Sequence, residues 1–438
     1  MPAQTVTRVL GLDFGTTNSV AALGLGGGSP QLIAFAAPSD TSVDVFRSAL
    51  CFWLDDAVAG GQSVEAGPWA IAEYLAFPQD SRFIQSFKSV AASASFEHAS
   101  IFERRFRFEE LGRIFLDRLR RHAGDALATR PDRVIVGRPV VYAGASPDPV
   151  LARQRYDRMF DGFGSEIHYV HEPLGAAFTY AARLDGAATV LVADFGGGTS
   201  DFSVVRVSEP GTARRCTPLG QAGIGIAGDR FDYRIVDHLV LPLLGKGGTY
   251  HSFGKTLDIP ANYFSDFGNW SRLALMRNRR TMAELAQLEH AATDRAAITR
   301  FISVIENELG FPLYDAVARL KRTLSADNAA CFSFSGGGLA IDVPVTRADF
   351  EAWIAPDLAE IDATITRALD SAGTTAAAID RVFLTGGSSL IPAVRQLFDT
   401  RFGTDRIAAG GELTSIANGL ALIGAQPDVA AWAVGDDA

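Results

Sequence analysis

The sequence predicts a two-lobed α/β protein built around a strand–turn–strand unit that the chain uses twice. The first observation is residues 190–201, where the apolar run Val190, Leu191, Val192 and Ala193 leads into Asp194 and Phe195, then Gly196, Gly197, Gly198, Thr199, Ser200 and Asp201. Three consecutive glycines carry no β-carbon, so backbone N–H groups can close on an anion there, with Asp194 facing a metal. The second is the echo at residues 9–19, again an apolar strand, then Asp13, Phe14, Gly15 and the polar side chains of Thr16, Thr17, Asn18 and Ser19. The third is size: 438 residues, 47% of them hydrophobic, can fill more than one core.

Residues 8–14 suit a buried strand and Val20 to Leu23 its return, so the polar turn between them is the tip of a β-hairpin. Its hydroxyls can donate to phosphate while Asp13 stands ready for a hydrated magnesium ion; a plain polar turn is the simpler alternative, and the repeat at Asp194 favours phosphate. Lys88 lies in the apolar stretch 83–90, where an ammonium either binds phosphate or snorkels to solvent. Residues 103–122 carry Leu111, Ile114, Phe115 and Leu119 at helical spacing, the pattern of a surface helix. Residues 133–138 read as a central strand closed by Pro139, with a helix following through Leu151 to Phe160.

Residues 167–172 form a strand that leads past Pro173 into an alanine-rich helix over 174–183. His168, His171 and Glu172 would be a metal site only if they converged, and strand alternation sends the two histidines to opposite faces. Residues 203–207 complete the second hairpin. Residues 223–232, with Gly228 and Asp229, read as a glycine-rich loop ahead of a helix over 233–244, an arrangement that suits phosphate. Gly245, Lys246, Gly247 and Gly248 lack both a preceding apolar strand and a closing hydroxyl residue, so a Walker-type loop is rejected.

Helices are expected over 283–295, 296–309 and 313–325, the last ending in Lys321, Arg322 and Ser325. Those three either grip a nucleotide or complement the helix dipole. Residues 331–335 and 340–345 make a hairpin around Gly336, Gly337 and Gly338, and a helix capped near Thr346 and Asp349 runs to about Ser371. Residues 381–392 are strand, a turn at Gly386, Gly387, Ser388 and Ser389, and a helix start. A small-residue helix at 415–424 precedes a short acidic tail at 427–438.

The net charge of −10 argues against a protein that coats nucleic acid, which needs clustered Lys and Arg. Cys51, Cys216 and Cys331 are odd in number and far apart, so neither a disulfide framework nor a metal cluster is expected, and a reducing cytoplasm fits. The N-terminus has no basic start with a long apolar core, and no run approaches a membrane span.

In this order the pieces resemble the actin-like ATPase superfamily, and within it the nucleotide-binding domain of the DnaK-type seventy-kilodalton heat-shock chaperones, over nearly the whole chain. Gly137, Arg138, Pro139 and Val140, the divergent region around 241–245 and the early end resemble the short YegD-type branch. The resemblance implies duplicated ribonuclease-H-like domains around a nucleotide cleft: lobe I at 1–187, returning at 405–426, and lobe II at 188–404 with a divergent subdomain about 233–315. The two connecting helices would start at Glu172 and at Ile416.

It further implies slow hydrolysis of ATP with Mg2+. Gly15, Thr16, Thr17, Asn18 and Gly196, Gly197, Gly198, Thr199 would hold the phosphates, and Asp13 and Asp194 the magnesium through water. Lys88 would orient the attacking water with help from Glu172, so Lys88, Glu172, Asp194 and Thr199 form the implied catalytic set. Gly228 and Asp229 would close over the phosphates, while Lys321, Arg322, Ser325, Gly386, Gly387 and Ser388 would meet adenosine. A protein client or regulator is an implied partner, and nucleic acid and membrane are not. Three departures stand out: Ala318 where the family has a carboxylate for the ribose, Leu390 where it has an arginine over adenine, and no peptide-binding domain after the last helix. A sugar or metabolite kinase on the same superfold, or a nucleotide-binding scaffold or filament former without appreciable turnover, are the alternative classes.

Overall fold

A computed structural model describes residues 7–434 except 27, 59, 145, 210, 213–215, 266, 268–275 and 410–413. The end of the expected acidic tail, 435–438, and part of the expected divergent subdomain lie outside the described residues. The chain divides into two compact units, one formed by Met1–Ala76, Gln85–Gly228 and Leu358–Ala438, the other by Phe77–Ile84 and Asp229–Asp357.

The first unit holds two sheets of one design. In the first sheet, Arg8–Phe14 pairs antiparallel with Asn18–Leu25 and parallel with Arg133–Arg138, which pairs parallel with Glu166–His171. In the second, Ala188–Phe195 pairs antiparallel with Ser200–Val207 and parallel with Arg381–Thr385, which pairs parallel with Ile407–Ala409. The repeat read as a hairpin therefore extends to the whole strand order, since each hairpin also continues antiparallel into a third strand, Gln31–Leu32 or Cys216–Ile224. The inner strands are continuous apolar runs because parallel strands are covered on both faces: Val134, Ile135 and Val136, like Val190, Leu191 and Val192, are fully buried.

Cys216–Ile224 is not expected from its residues, because Pro218, Gly220 and Gly223 all disfavour a strand. It stands at the sheet edge, where proline is tolerated, and a register shift opposite Val204 and Val205 absorbs the misfit. Between the sheets, helix Ser415–Gly424 lies on the first and packs against helix Glu172–Ala181, which lies on the second. The backbones touch at Gly175 and Gly419: a β-carbon on Gly175 would stand 2.9 Å from the Ile416 carbonyl oxygen, and one on Gly419 would overlap the Gly175 backbone.

Several boundaries move for local reasons. The helix expected from residue 103 runs Phe108–His122, because Arg104–Phe106 is a strand and the Glu110 carboxylate accepts from the Arg107 N–H at 2.7 Å, capping the start. The helix expected from residue 233 begins at Gly228, so Gly228 and Asp229 form its first turn and not a loop; a carboxylate there complements the helix dipole. Leu241–Leu244, expected within that helix, is a separate 3-10 turn after Val240.

The second unit is mainly helical. Arg279–Ala291 and Arg295–Glu306 are separated where the Asp294 carboxylate caps the Ala297 N–H at 3.0 Å. Gly310–Ala326 packs on the hairpin Ala329–Gly336 and Leu339–Thr346. Phe264, Phe267 and Phe301 stack in its core, and Asp357, almost wholly buried, receives both Arg234 nitrogens at 2.7 and 2.8 Å.

Candidate active site

The two hairpin turns of the first unit face each other. Asp13 and Asp194 each occupy the next-to-last position of the first strand of their hairpin, which delivers both carboxylates to the turn end of their sheets. The turn Gly15, Thr16, Thr17 is tied down by Ser48, whose hydroxyl donates to the Gly15 carbonyl at 2.7 Å and whose N–H donates to Thr17 at 3.0 Å. Asn18 opens the returning strand and accepts from Arg47 at 3.5 Å.

In the second turn the Gly196 N–H donates to the Thr199 carbonyl at 2.9 Å, and the Gly228 N–H to the Gly196 carbonyl at 3.3 Å. None of Gly196, Gly197 and Gly198 has a positive φ, so what their small size supplies is room and not a left-handed bend. A β-carbon on Gly198 would lie 3.5 Å from the Thr16 hydroxyl, which measures how closely the turns approach.

Lys88 closes this space. It sits in the 3-10 turn Phe87–Val90, entered through Ser86 in the left-handed region at φ 54°. Its Nζ donates to Glu172 Oε1 at 2.6 Å, with both side chains over nine-tenths withdrawn from solvent. Of the two readings open for Lys88, snorkelling is the one the geometry rejects. Burial alone would lower the ammonium, but the Glu172 and Asp13 charges hold it above its ordinary value.

The carboxylates respond in kind. Burial, then the Glu172 charge, lifts Asp13 to about 7, with Lys88 opposing. Burial, then Glu172, Asp13 and Asp201, lifts Asp194 well above its usual range. Burial and Glu172 also lift Asp201 to about 7, against hydrogen bonds from Thr199 and the Val141 and Val140 N–H groups. Four acids thus share one buried region with Lys88 as the opposing charge near Asp13 and Asp194, and a bound cation is what would favour their ionised forms there. Among the described residues no three His, Cys, Asp or Glu side chains converge on one metal-sized point, so the donor set fits a hydrated ion better than a bare one. His168 instead pairs with Glu166 at 2.6 Å, and burial together with Arg138 pushes His171 down to about 4.

At the neighbouring strand end, Thr385 is in register with Asp194, and Gly386 follows at φ +83°. A β-carbon on Gly386 would run into the Phe195 backbone, so this turn rests directly on the second phosphate-type turn. Gly387 has open space beside it, Ser388 is buried, and Leu390 is 59% exposed. In the second unit, Lys321 pairs with Asp232 at 2.7 Å, Arg322 is exposed, and the Ser325 hydroxyl donates back to the Lys321 carbonyl at 2.9 Å. Asp229 lies one residue past the end of the first unit.

Sequence reasoning left three buried residues of this region unassigned. Asp201 accepts from the Val140 and Val141 N–H groups at 2.9 and 3.2 Å, pinning the chain after the central strand; its place as the acid that closes the second glycine motif was the available signal, although the first hairpin has Val20 there. Tyr142 is buried on that same segment, and burial raises its hydroxyl pKa. Arg155, on helix Pro149–Phe160, has no pattern to mark it.

The family model described as Hsp70 protein matches residues 86–247 and 305–427, which include Lys88, Glu172, the second hairpin and Gly386. The chain is 26% identical over 412 residues to the chaperone protein DnaK of Thermus thermophilus, a match covering 91% of this chain and 58% of that protein. The chain thus spans little more than half the length of that relative. With a doubled hairpin-led sheet, helices pairing between the two copies and the family model matched over most of its length, the chain has the mixed α/β actin-like ATPase fold and belongs to the Hsp70 family.

Proposed function

We propose that the protein binds ATP with Mg2+ and hydrolyses it slowly, as a nucleotide-driven conformational switch of the chaperone type. The observation that carries this is the buried Lys88–Glu172 pair, whose charges act on both Asp13 and Asp194 at the ends of two equivalent hairpins. Gly15, Thr16, Thr17 and Asn18 on one turn and Gly196 to Thr199 on the other hold the β- and γ-phosphates. Asp13 and Asp194 take the magnesium ion through its waters, and the ion supplies charge neutralisation at the phosphate oxygens. Lys88 orients the attacking water, with Glu172 fixing the ammonium and accepting a hydrogen bond from that water.

Gly228 caps the second turn, and Gly386, Gly387 and Ser388 meet the adenosine. The roles of Asp229, Lys321, Arg322 and Ser325 rest on the resemblance alone and belong to the same proposal, as do lobes at 1–187 with 405–426 and at 188–404, and the YegD-type branch. Leu390 offers adenine an apolar face without a cation, which favours phosphate contacts over base contacts as the source of affinity. A client or regulatory protein reads the nucleotide state. Three free cysteines fit a cytoplasmic setting, and no helix among the described residues is long and apolar enough to cross a membrane.

Single-turnover phosphate release from ATP, with and without magnesium, tests the proposal. The expected result is slow release that EDTA abolishes and that Lys88→Ala and Asp194→Asn each lower at least tenfold. Indistinguishable rates for wild type and both variants would overturn it, and transfer of the phosphate to a sugar in place of water would assign the fold to kinase chemistry.

A further inference from the structure

We propose that Arg155 is a positioning residue for Lys88, clasping the chain just downstream so that the ammonium is held at Glu172; the inference rests on the proposed ATPase reading. Helix Pro149–Phe160 reaches this segment twice. At its cap, Asp148 accepts from the Leu151 N–H at 2.9 Å and uses its own N–H to donate to the Ala92 carbonyl at 2.8 Å. Two turns further along the same face stands Arg155, more than nine-tenths buried. Its Nη1 shares two N–H groups among the carbonyls of Val90, Ala91 and Ser93, at 2.9, 2.9 and 3.1 Å, and its Nη2 donates to that of Phe96 at 2.5 Å. A guanidinium is the side chain suited to this, because its fork carries several donors in fixed directions and stays charged when buried.

The segment it grips needs holding. Lys88 lies on a single 3-10 turn, entered through a buried serine in the left-handed region, a conformation that persists only when its surroundings over-determine it. Upstream, the Ser86 carbonyl accepts from the Ser89 N–H at 3.0 Å; downstream, the chain runs through successive tight turns, in which the Lys88, Val90 and Ser93 carbonyls accept from the Ala91, Ser93 and Phe96 N–H groups at 3.0, 3.1 and 3.2 Å. Arg155 ties these turns together from the side, adding a second donor at the Val90 and Ser93 carbonyls and reaching those of Ala91 and Phe96 as well. Its neighbour Tyr156 packs edge-on to Phe14, the residue after Asp13, and Phe14 packs on Phe87, the residue before Lys88. The helix therefore references the lysine turn to the strand that carries the first carboxylate.

Two measurements on Arg155→Gln test this. First, Lys88 acylation by an amine-directed reagent is read by peptide mass spectrometry: Lys88 is expected to be protected in the wild type and at least fivefold more modified in the variant, with the exposed Lys255 unchanged. Second, single-turnover hydrolysis is expected to fall about tenfold with the Kd for ATP within twofold, and to fall no further in the Lys88→Ala background, because a residue acting through Lys88 has nothing left to position. If Arg155→Gln does not fold, Arg155→Lys, which keeps the charge and loses the fork, is expected to give a partial version of both effects.

Lys88 remaining protected in the folded variant, or a rate loss that adds to that of Lys88→Ala, would overturn the inference. A wild type that hydrolyses no ATP removes the ATPase reading and the inference with it, while the labelling still reports whether Arg155 orders the turn.

Discussion

Lys88 Nζ stands 2.6 Å from Glu172 Oε1, joining a short turn to the first residue of a helix 84 positions later, with both groups buried. Removing one partner of such a pair leaves the other charged and without compensation. Lys88→Ala is therefore expected to cost about 3–5 kcal/mol of stability at neutral pH. Lys88→Ala combined with Glu172→Gln is expected to recover part of that loss, and urea denaturation of both variants checks it.

The raised carboxylates set a pH dependence. Asp13 and Asp201 hold their protons to about 7 in the folded protein, whereas unfolded aspartates release theirs near 4. Between those values the folded state binds more protons, so these groups make stability fall as pH rises from about 4 to about 7. Glu172 and Asp194 face the same region, with Lys88 as the opposing charge. Asp13→Asn is expected to flatten the decline, read as urea midpoints at half-unit intervals; equal slopes for variant and wild type would contradict it.

The contact of Gly175 with Gly419 predicts a sharp stability effect remote from chemistry. Gly419→Ala places a methyl into backbone that cannot turn aside, and Gly175→Ala meets the Ile416 carbonyl and Leu420. Each is expected to destabilise by about 1–3 kcal/mol or more by overpacking. Gly387→Ala, with open space around it, is expected to stay within about 0.5 kcal/mol. Chemical denaturation of the three variants separates the cases.

In the second unit, Asp357 takes Arg234 through two hydrogen bonds and Arg230 at 3.4 Å from an almost wholly buried position. Asp357→Ala leaves two partly solvated guanidinium groups without their carboxylate, with an expected loss of about 1–3 kcal/mol. Limited proteolysis, with cleavage sites mapped to 229–357, is expected to show faster cutting there.

Much of the site was legible in order along the chain. The two hairpins and the turn at Gly386 announce themselves because an apolar strand ending in Asp or Thr beside glycine is a local pattern. Lys88 was not legible by itself: an isolated lysine among apolar residues reads first as snorkelling, and its partner lies on another element. Asp201, Tyr142 and Arg155 escaped for a related reason, since their partners are backbone groups or charges brought near only by folding. The edge strand Cys216–Ile224 was hidden by Pro218 and its glycines, which an edge accommodates.

What the sequence determined by itself is the repeated strand-and-turn grammar, and with it the fold, because strand burial and glycine turns depend on neighbours a few residues away. What only the tertiary structure decided is the electrostatics of the site. The direction in which Lys88, Asp13, Asp194 and Asp201 titrate follows from burial and from Glu172, and both depend on two helices meeting closely enough at Gly175 and Gly419 to bring the two sheets' turns together.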